Sequence, residues 1–263
     1  MSEIRVNGIK LNYIEKGEGF PLILIHGLSD DLRLWNHLIP ELSRSYCTLA
    51  LDLRGHGSSS KPSTSYSIAQ FSRDIYCLLV KLNIKKAHFI GFSMGGAIAQ
   101  DFAVKYPEMV SSLILISSFS YATHDLNKKL LKLRASLVEG GFAAFFDEIV
   151  PLILTQEFIR KNRAELEHVK VEKIETESRE ALVRTIDACL QFDIKDKVVL
   201  VSKPTLIISG KQDVLTLNEL AEQTHRLING SEYKIIENTG HNVLIPENRQ
   251  YLLELILKFL NNV

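Results

Sequence analysis

The sequence predicts an α/β architecture around a mostly parallel sheet, and three observations carry that prediction. From Pro21 onward the short apolar runs are continuous rather than alternating: Leu22-Ile23-Leu24-Ile25, Thr48-Leu49-Ala50-Leu51, Ala87-His88-Phe89-Ile90, Leu113-Ile114-Leu115-Ile116 and Thr205-Leu206-Ile207-Ile208. Strands of that composition are buried on both faces, which is the habit of parallel sheets. Helix-period segments lie between them, as in Phe71, Ile75, Leu78, Leu79 and Leu82, so strand and helix alternate as right-handed crossovers require. Between residues 119 and 188 the alternation fails, and only helix patterns occur.

In chain order, residues 4–13 alternate around Asn7-Gly8, a strong hairpin signal because both central turn positions need φ > 0. A helical pattern over 97–106 follows the strand at 87–90. In the strand-free region, Leu126, Leu130, Leu133 and Leu137 make one stripe. Phe142, Phe145, Phe146, Ile149 and Ile153 make a second, interrupted at Pro151. Leu182, Ile186, Cys189 and Leu190 make a third. Residues 157–184 carry dense charge of mixed sign, the signature of a solvated helix face. A helical insertion after one strand, with strand pattern resuming at Thr205, predicts a lid laid over the sheet. The expected division is a core of residues 1–118, a lid of 119–190 and the rest of the core in 191–263. Leu217, Leu220, Ala221, Thr224 and Leu227 mark a further helix, Tyr233-Lys234-Ile235-Ile236 a last strand, and residues 248–260 a final helix.

Composition bounds the function classes. The 263 residues are 46% hydrophobic and 24% charged, with Lys+Arg 31 against Asp+Glu 31. Neutral overall charge predicts neither nucleic acid nor an anionic membrane as partner, since both reward a basic excess. No apolar run approaches the ~18 residues of a membrane span, and residues 1–8 form no signal-peptide core. Cys47, Cys77 and Cys189 are odd in number and widely spaced, so neither a disulfide framework nor a zinc site is expected. These features point to a reduced, cytoplasmic protein.

The candidate chemistry begins at Gly91-Phe92-Ser93-Met94-Gly95. This G-x-S-x-G stretch follows a strand and opens a helix, the context that holds a serine out on a strained turn. The adjoining helix N-terminus offers free N–H groups and a positive dipole to a developing oxyanion. A serine needs a base, and the base an orienting acid. Three of the eight histidines, His26, His56 and His241, sit beside glycines in loops. His241 follows the last strand and so reaches the carboxyl edge of the sheet, where open α/β sheets bind ligands; His26 and His56 could approach the same edge. Asp213 follows the strand at 205–208. Asp52 also ends a strand, but Arg54 two residues on suggests a structural ion pair.

Taken together, Ile25-His26-Gly27-Leu28, Asp52-Leu53-Arg54-Gly55-His56-Gly57-Ser58, the Ser93 turn, Gly210-Lys211-Gln212-Asp213 and Gly240-His241 resemble the α/β-hydrolase superfamily across nearly the whole chain outside the insertion. The resemblance implies an eight-stranded, mostly parallel sheet with helices on both faces and a lid inserted after strand 6. It implies Ser93 as nucleophile, His241 as base, Asp213 as its partner, and the backbone N–H groups of Leu28 and Met94 as oxyanion donors. It makes His26 a structural loop residue. Relatives with an aspartate nucleophile, the haloalkane dehalogenases and epoxide hydrolases, differ at Ser93. The Gly-Phe-Ser-Met-Gly-Gly turn and Leu32-Arg33-Leu34-Trp35 bring the chain nearest to the subgroup of carboxylesterases, enol-lactonases and cofactor-free haloperoxidases.

The expected activity is hydrolysis of small carboxylic esters of short to medium acyl chain, with no metal or organic cofactor. Alternatives on the same residues are hydrolysis of a lactone or a carbon–carbon bond, or a ligand receptor with little turnover. The substrate pocket is expected between the sheet edge and the lid, with Trp35, Phe119, Phe142, Phe145, Phe146 and Ile149 as candidate lining. An apolar pocket would favour uncharged esters.

Overall fold

The computed structural model describes residues 2–263. Strands β1 (Ser2–Val6) and β2 (Ile9–Lys16) form the expected hairpin. Asn7 and Gly8 both have positive φ, 46° and 77°, the geometry that matches a two-residue turn to the twist of its strands. Six further strands complete the set: β3 (Phe20–Ile25), β4 (Tyr46–Leu51), β5 (Ala87–Phe92), β6 (Val110–Ile116), β7 (Thr205–Gly210) and β8 (Glu232–Ile236). All eight join one sheet in the order β1-β2-β4-β3-β5-β6-β7-β8. Only the pairs β1–β2 and β2–β4 are antiparallel.

The continuous apolar runs divide between two layers because successive strand residues face opposite ways. Ile23, Ile25, Phe89, Leu113, Leu115 and Ile207 face a layer built with α2 (Ile68–Lys81), α3 (Met94–Lys105) and α8 (Asn218–Leu227). Leu22, Leu24, Ile90, Ile114, Leu206 and Ile208 face the opposite layer, formed with the short α1 (Ile39–Leu42) and the C-terminal α9 (Arg249–Leu260). The chain leaves β3 toward β4 on one side, then returns to add β5 on the other. That reversal places a crevice at the carboxyl ends of β3 and β5.

Four helices fill the strand-free region: α4 (His124–Ile153), α5 (Gln156–Lys161), α6 (Arg163–Thr176) and α7 (Arg179–Leu190). The leucine stripe Leu126, Leu130, Leu133 and Leu137 is buried, as are Leu182, Ile186 and Cys189. The expected interruption at Pro151 is not where α4 breaks. Pro151 sits in its final turn, and the kink falls at Gly141, whose φ of 68° and ψ of −164° are non-helical. Helices α5 and α6 bury no residue fully, in keeping with their mixed charge. Among the described residues no helix is long and apolar enough to cross a membrane.

Candidate active site

Ser93 ends β5 and caps α3 with φ 53° and ψ −117°, a conformation a serine rarely adopts. Such strain costs about 1–3 kcal/mol and persists only where the surroundings impose it. Here the Ser93 N–H donates to the Ile116 carbonyl at 2.8 Å, and the Ser93 carbonyl accepts from the Gly96 N–H at 2.9 Å and the Ser118 hydroxyl at 2.9 Å. A Cβ on Gly91 would collide with the Gly95 carbonyl, and one on Gly95 with the Ile25 carbonyl. Glycine at both positions therefore lets α3 pass against the ends of β5 and β3, with the serine hydroxyl held out between them.

The loops after β7 and β8 bring Asp213 and His241 to the same edge. His241 Nε2 lies 2.9 Å from Ser93 Oγ, and His241 Nδ1 lies 2.8 Å from Asp213 Oδ2. The other oxygen of Asp213 accepts from the N–H groups of Leu215 and Thr216, each at 2.9 Å. The Thr216 hydroxyl lies 2.9 Å from Asp213 Oδ2 and 3.1 Å from His241 Nδ1. With the carboxylate pinned as acceptor, the imidazole carries its proton on Nδ1 and leaves Nε2 free to accept from Ser93. Thr216 is invisible in the sequence because an ordinary loop threonine carries no signal of its own.

The other polar candidates are placed elsewhere. His26 Nε2 accepts from the Leu53 N–H at 3.0 Å, while Nδ1 is 2.8 Å from the Gly27 carbonyl, so the ring braces one loop against the next. His56 Nδ1 is 2.9 Å from the Arg54 carbonyl. The expected Asp52–Arg54 pairing does not form. Arg54 makes a two-pronged buried ion pair with Asp74, both contacts at 2.8 Å, whereas Asp52 accepts from the N–H groups of Leu32 and Ser58 and from the Asn12 amide, each at 2.8 Å. Sequence proximity suggested the pairing; the turn after β4 points the two side chains apart.

Burial keeps several of these rings neutral, and stability should depend on pH as a result. Desolvation, reinforced by the neighbouring His56, pushes His26 down to about 3. Desolvation lowers His56 likewise and takes His88 to about 4. Above pH 6.5 all three are neutral whether the chain is folded or not. Below it the unfolded chain takes up protons that the folded chain refuses, so stability falls by up to ~1.4 kcal/mol per pH unit per ring. Asp30 works the other way: burial raises its carboxyl from 3.8 to about 6, offsetting one ring over that interval. The urea midpoint should therefore fall as pH drops from 6.5 to 4; a flat or rising midpoint contradicts this account.

Above Ser93 lies an inner cavity lined by Leu28, Phe92, Ser93, Met94, Phe119, Leu126, Leu130, Ile149, Leu215 and His241, among others. The N–H groups of Leu28 and Met94 have no partner among the loop and cap hydrogen bonds. Cys189 also lines the cavity, but burial pushes its thiol up to about 12, so it stays protonated. Phe119 and Ile149 line the inner cavity. Phe142 and Phe146 line an adjoining outer cavity together with Ile149.

Trp35 and Phe145 line neither cavity. The Leu32–Trp35 segment is a 3₁₀ turn, and its period of three sends Leu32 and Trp35 into the α9 layer while Arg33 and Leu34 face the outer cavity. On α4, Phe142 and Phe146 are four apart and share a face, and Phe145 is turned away into the core. Among the described residues no three His, Cys, Asp or Glu side chains are grouped to hold a metal ion.

A serine on a strained strand-to-helix turn, bonded through histidine to a pinned carboxylate at the switch point of a parallel sheet, defines a class of site rather than a substrate. The chain belongs to the α/β-hydrolase family, whose model matches residues 21–247. It is 31% identical over 251 residues to epoxide hydrolase 4 of Mus musculus, covering 84% of this chain and 68% of that protein. It is 28% identical over 257 residues to 3-oxoadipate enol-lactonase 2 of Acinetobacter baylyi, covering 96% and 95%. A thermophilic esterase from Thermogutta terrifontis shares the fold with a TM-score of 0.89 at 23% identity, over 100% of this chain and 99% of that one.

Proposed function

We propose that the protein is a serine hydrolase that cleaves carboxylic esters of short to medium acyl chain through an acyl-enzyme intermediate. The observation that carries this reading is the unbroken relay of Ser93, His241 and Asp213 at the floor of a largely apolar cavity. Ser93 Oγ attacks the ester carbonyl as His241 Nε2 takes its proton. The oxyanion accepts hydrogen bonds from the Leu28 and Met94 N–H groups; losing one such donor costs about 10²–10³ in rate. The tetrahedral adduct collapses, and His241 returns the proton to the leaving alkoxide. Water, deprotonated by the same nitrogen, attacks the acyl carbonyl and releases the acid with Ser93 restored. Asp213 stays ionised and holds the ring's orientation.

A fluorophosphonate should label Ser93, with p-nitrophenyl acetate turned over by the unlabelled protein. A label on another residue, or no ester turnover, overturns the reading. Lactone cleavage is the second reading, favoured by similarity to the A. baylyi enol-lactonase over 96% of the chain. A panel of lactones beside p-nitrophenyl esters decides between them by kcat/KM.

The two cavities support different roles for the phenylalanines. Phe145→Ala should cost about 3–5 kcal/mol of stability, the usual loss for a core Phe, without moving the preferred acyl length. Phe142→Ala and Phe146→Ala should cost less and change relative kcat/KM across acetyl to decanoyl esters. If all three variants lose stability and none alters that profile, the outer face of α4 plays no part in selectivity.

A further inference from the structure

The outer cavity continues from the inner one. Ser29, Asp30, Ile149, Ile153 and Asn242 line both, so a substrate seated at Ser93 with one end in the inner cavity extends the other into this vestibule. The inner cavity is lined mainly by apolar side chains, which suits an acyl chain that stays bound to the serine. The leaving alcohol departs first, and the adjoining vestibule offers it a route out.

The charges of the vestibule are unevenly satisfied. Its two cations are both engaged. Arg33 binds Asp31 at 2.8 Å and Glu172 at 2.5 Å, and Lys173 binds Glu177 at 2.8 Å and Asp31 at 3.4 Å. Lys173 also donates to the Ser29 carbonyl at 2.8 Å. The two vestibule carboxyls, Asp30 and Glu165, make no ion pair or side-chain hydrogen bond among the described residues. Three aromatic rings, Phe142, Phe146 and Phe158, complete the wall. Lys173 acts on Asp30 by charge without a direct contact, so the carboxylate is only partly compensated. A carboxylate with no direct partner, in a wall that also carries aromatic rings, attracts a further cation, the first by charge and the second by ring quadrupole.

We propose that the vestibule recognises an alkylammonium group on the alcohol part of the ester, with Asp30 as the residue that selects it. This inference rests on the esterase reading and narrows its substrate class: an uncharged acyl chain inside, a cationic alcohol outside. Burial raises the Asp30 carboxyl to about 6. Asp30 is therefore ionised at neutral pH and held in a setting where a bound cation relieves the cost of its burial.

The test compares two esters that differ only in charge, acetylcholine and 3,3-dimethylbutyl acetate, with p-nitrophenyl acetate as a common reference. In the wild-type protein at pH 7.5, kcat/KM should favour the cation about tenfold or more, as expected for a partly desolvated charge pair. That ratio should shrink toward one in Asp30→Asn and partly in Glu165→Gln. It should also fade as pH is lowered through about 6, where Asp30 takes up its proton. Asp31, Glu177, Lys173 and His241 surround Asp30, and Glu165 and His37 stand across the vestibule. Any change that slows the acylation step shared by the two esters acts on both alike and cancels in the ratio. The wild-type ratio needs no variant, so a folding failure of Asp30→Asn leaves the test intact. A wild-type ratio near one, or a ratio that Asp30→Asn leaves unchanged, overturns the inference while ester hydrolysis stands. If none of the three esters is hydrolysed, the esterase reading fails and this inference falls with it.

Discussion

Replacing Ser93 by alanine is expected to lower kcat on p-nitrophenyl acetate by about 10³–10⁶, the range found when a serine nucleophile is removed and only binding and oxyanion contacts remain. The fold should survive. The strained backbone at position 93 is held by main-chain bonds to Ile116 and Gly96 and by the Ser118 hydroxyl, none of which involves Ser93 Oγ. Alanine meets the same steric terms as serine at this φ. The melting temperature should therefore stay near that of the wild type while the fluorophosphonate label disappears. Full activity in the alanine variant, or loss of activity that tracks unfolding, would sink the assignment.

Asp213→Asn should be almost as damaging, by about 10⁴ in kcat if the precedent of serine hydrolases holds. One side-chain oxygen accepts from the Leu215 and Thr216 N–H groups and will remain an acceptor in asparagine. The amide nitrogen must then face His241 Nδ1, 2.8 Å from the present Oδ2. A donor there drives the imidazole proton to Nε2, and the ring can no longer accept from Ser93. Asp52→Asn provides the contrast. Asp52 holds the Leu32 and Ser58 N–H groups and the Asn12 amide away from the serine. Its loss should appear in the unfolding midpoint and much less in kcat. The reverse pattern, with Asp52→Asn crippling kcat and Asp213→Asn mild, would mean that the wrong carboxylate has been assigned to His241.

Much of the site was legible because each principal residue sits next to a strand whose apolar run is unmistakable. Ser93 comes directly after Ala87–Phe92, and Asp213 soon after Thr205–Gly210. Parallel strands deliver the loops at their carboxyl ends to a common edge. The supporting residues lacked such anchors. Thr216 belongs to a loop, and its nearness to Asp213 depends on how that loop turns after Gly210. That Asp31 and not Asp30 makes the direct contacts to Arg33 and Lys173 could not be read from Ser29-Asp30-Asp31, because the position of Lys173 is set by a helix about 140 residues further along.

The alternation of strands with the longer helices, the hairpin at Asn7-Gly8, the serine turn, the helical insertion and the family were readable from the chain alone, while the short α1 and the division of the charged stretch into α5 and α6 were not. They depend on local terms: side-chain period, turn chemistry and glycines where chains must cross. Packing in three dimensions was needed to settle which face each side chain takes when several apolar residues crowd one segment. Phe145 and Phe146 differ by one residue and some 100° of helix rotation, yet one fills the core and the other lines the vestibule. Trp35 likewise turns under the sheet while Arg33 and Leu34 face outward. Composition marks such residues as apolar and buried, but the direction in which each is buried is set by its packing partners. Here those are the 3₁₀ turn over α9, the kink at Gly141, and the charged face of α6 laid against the loop after β3.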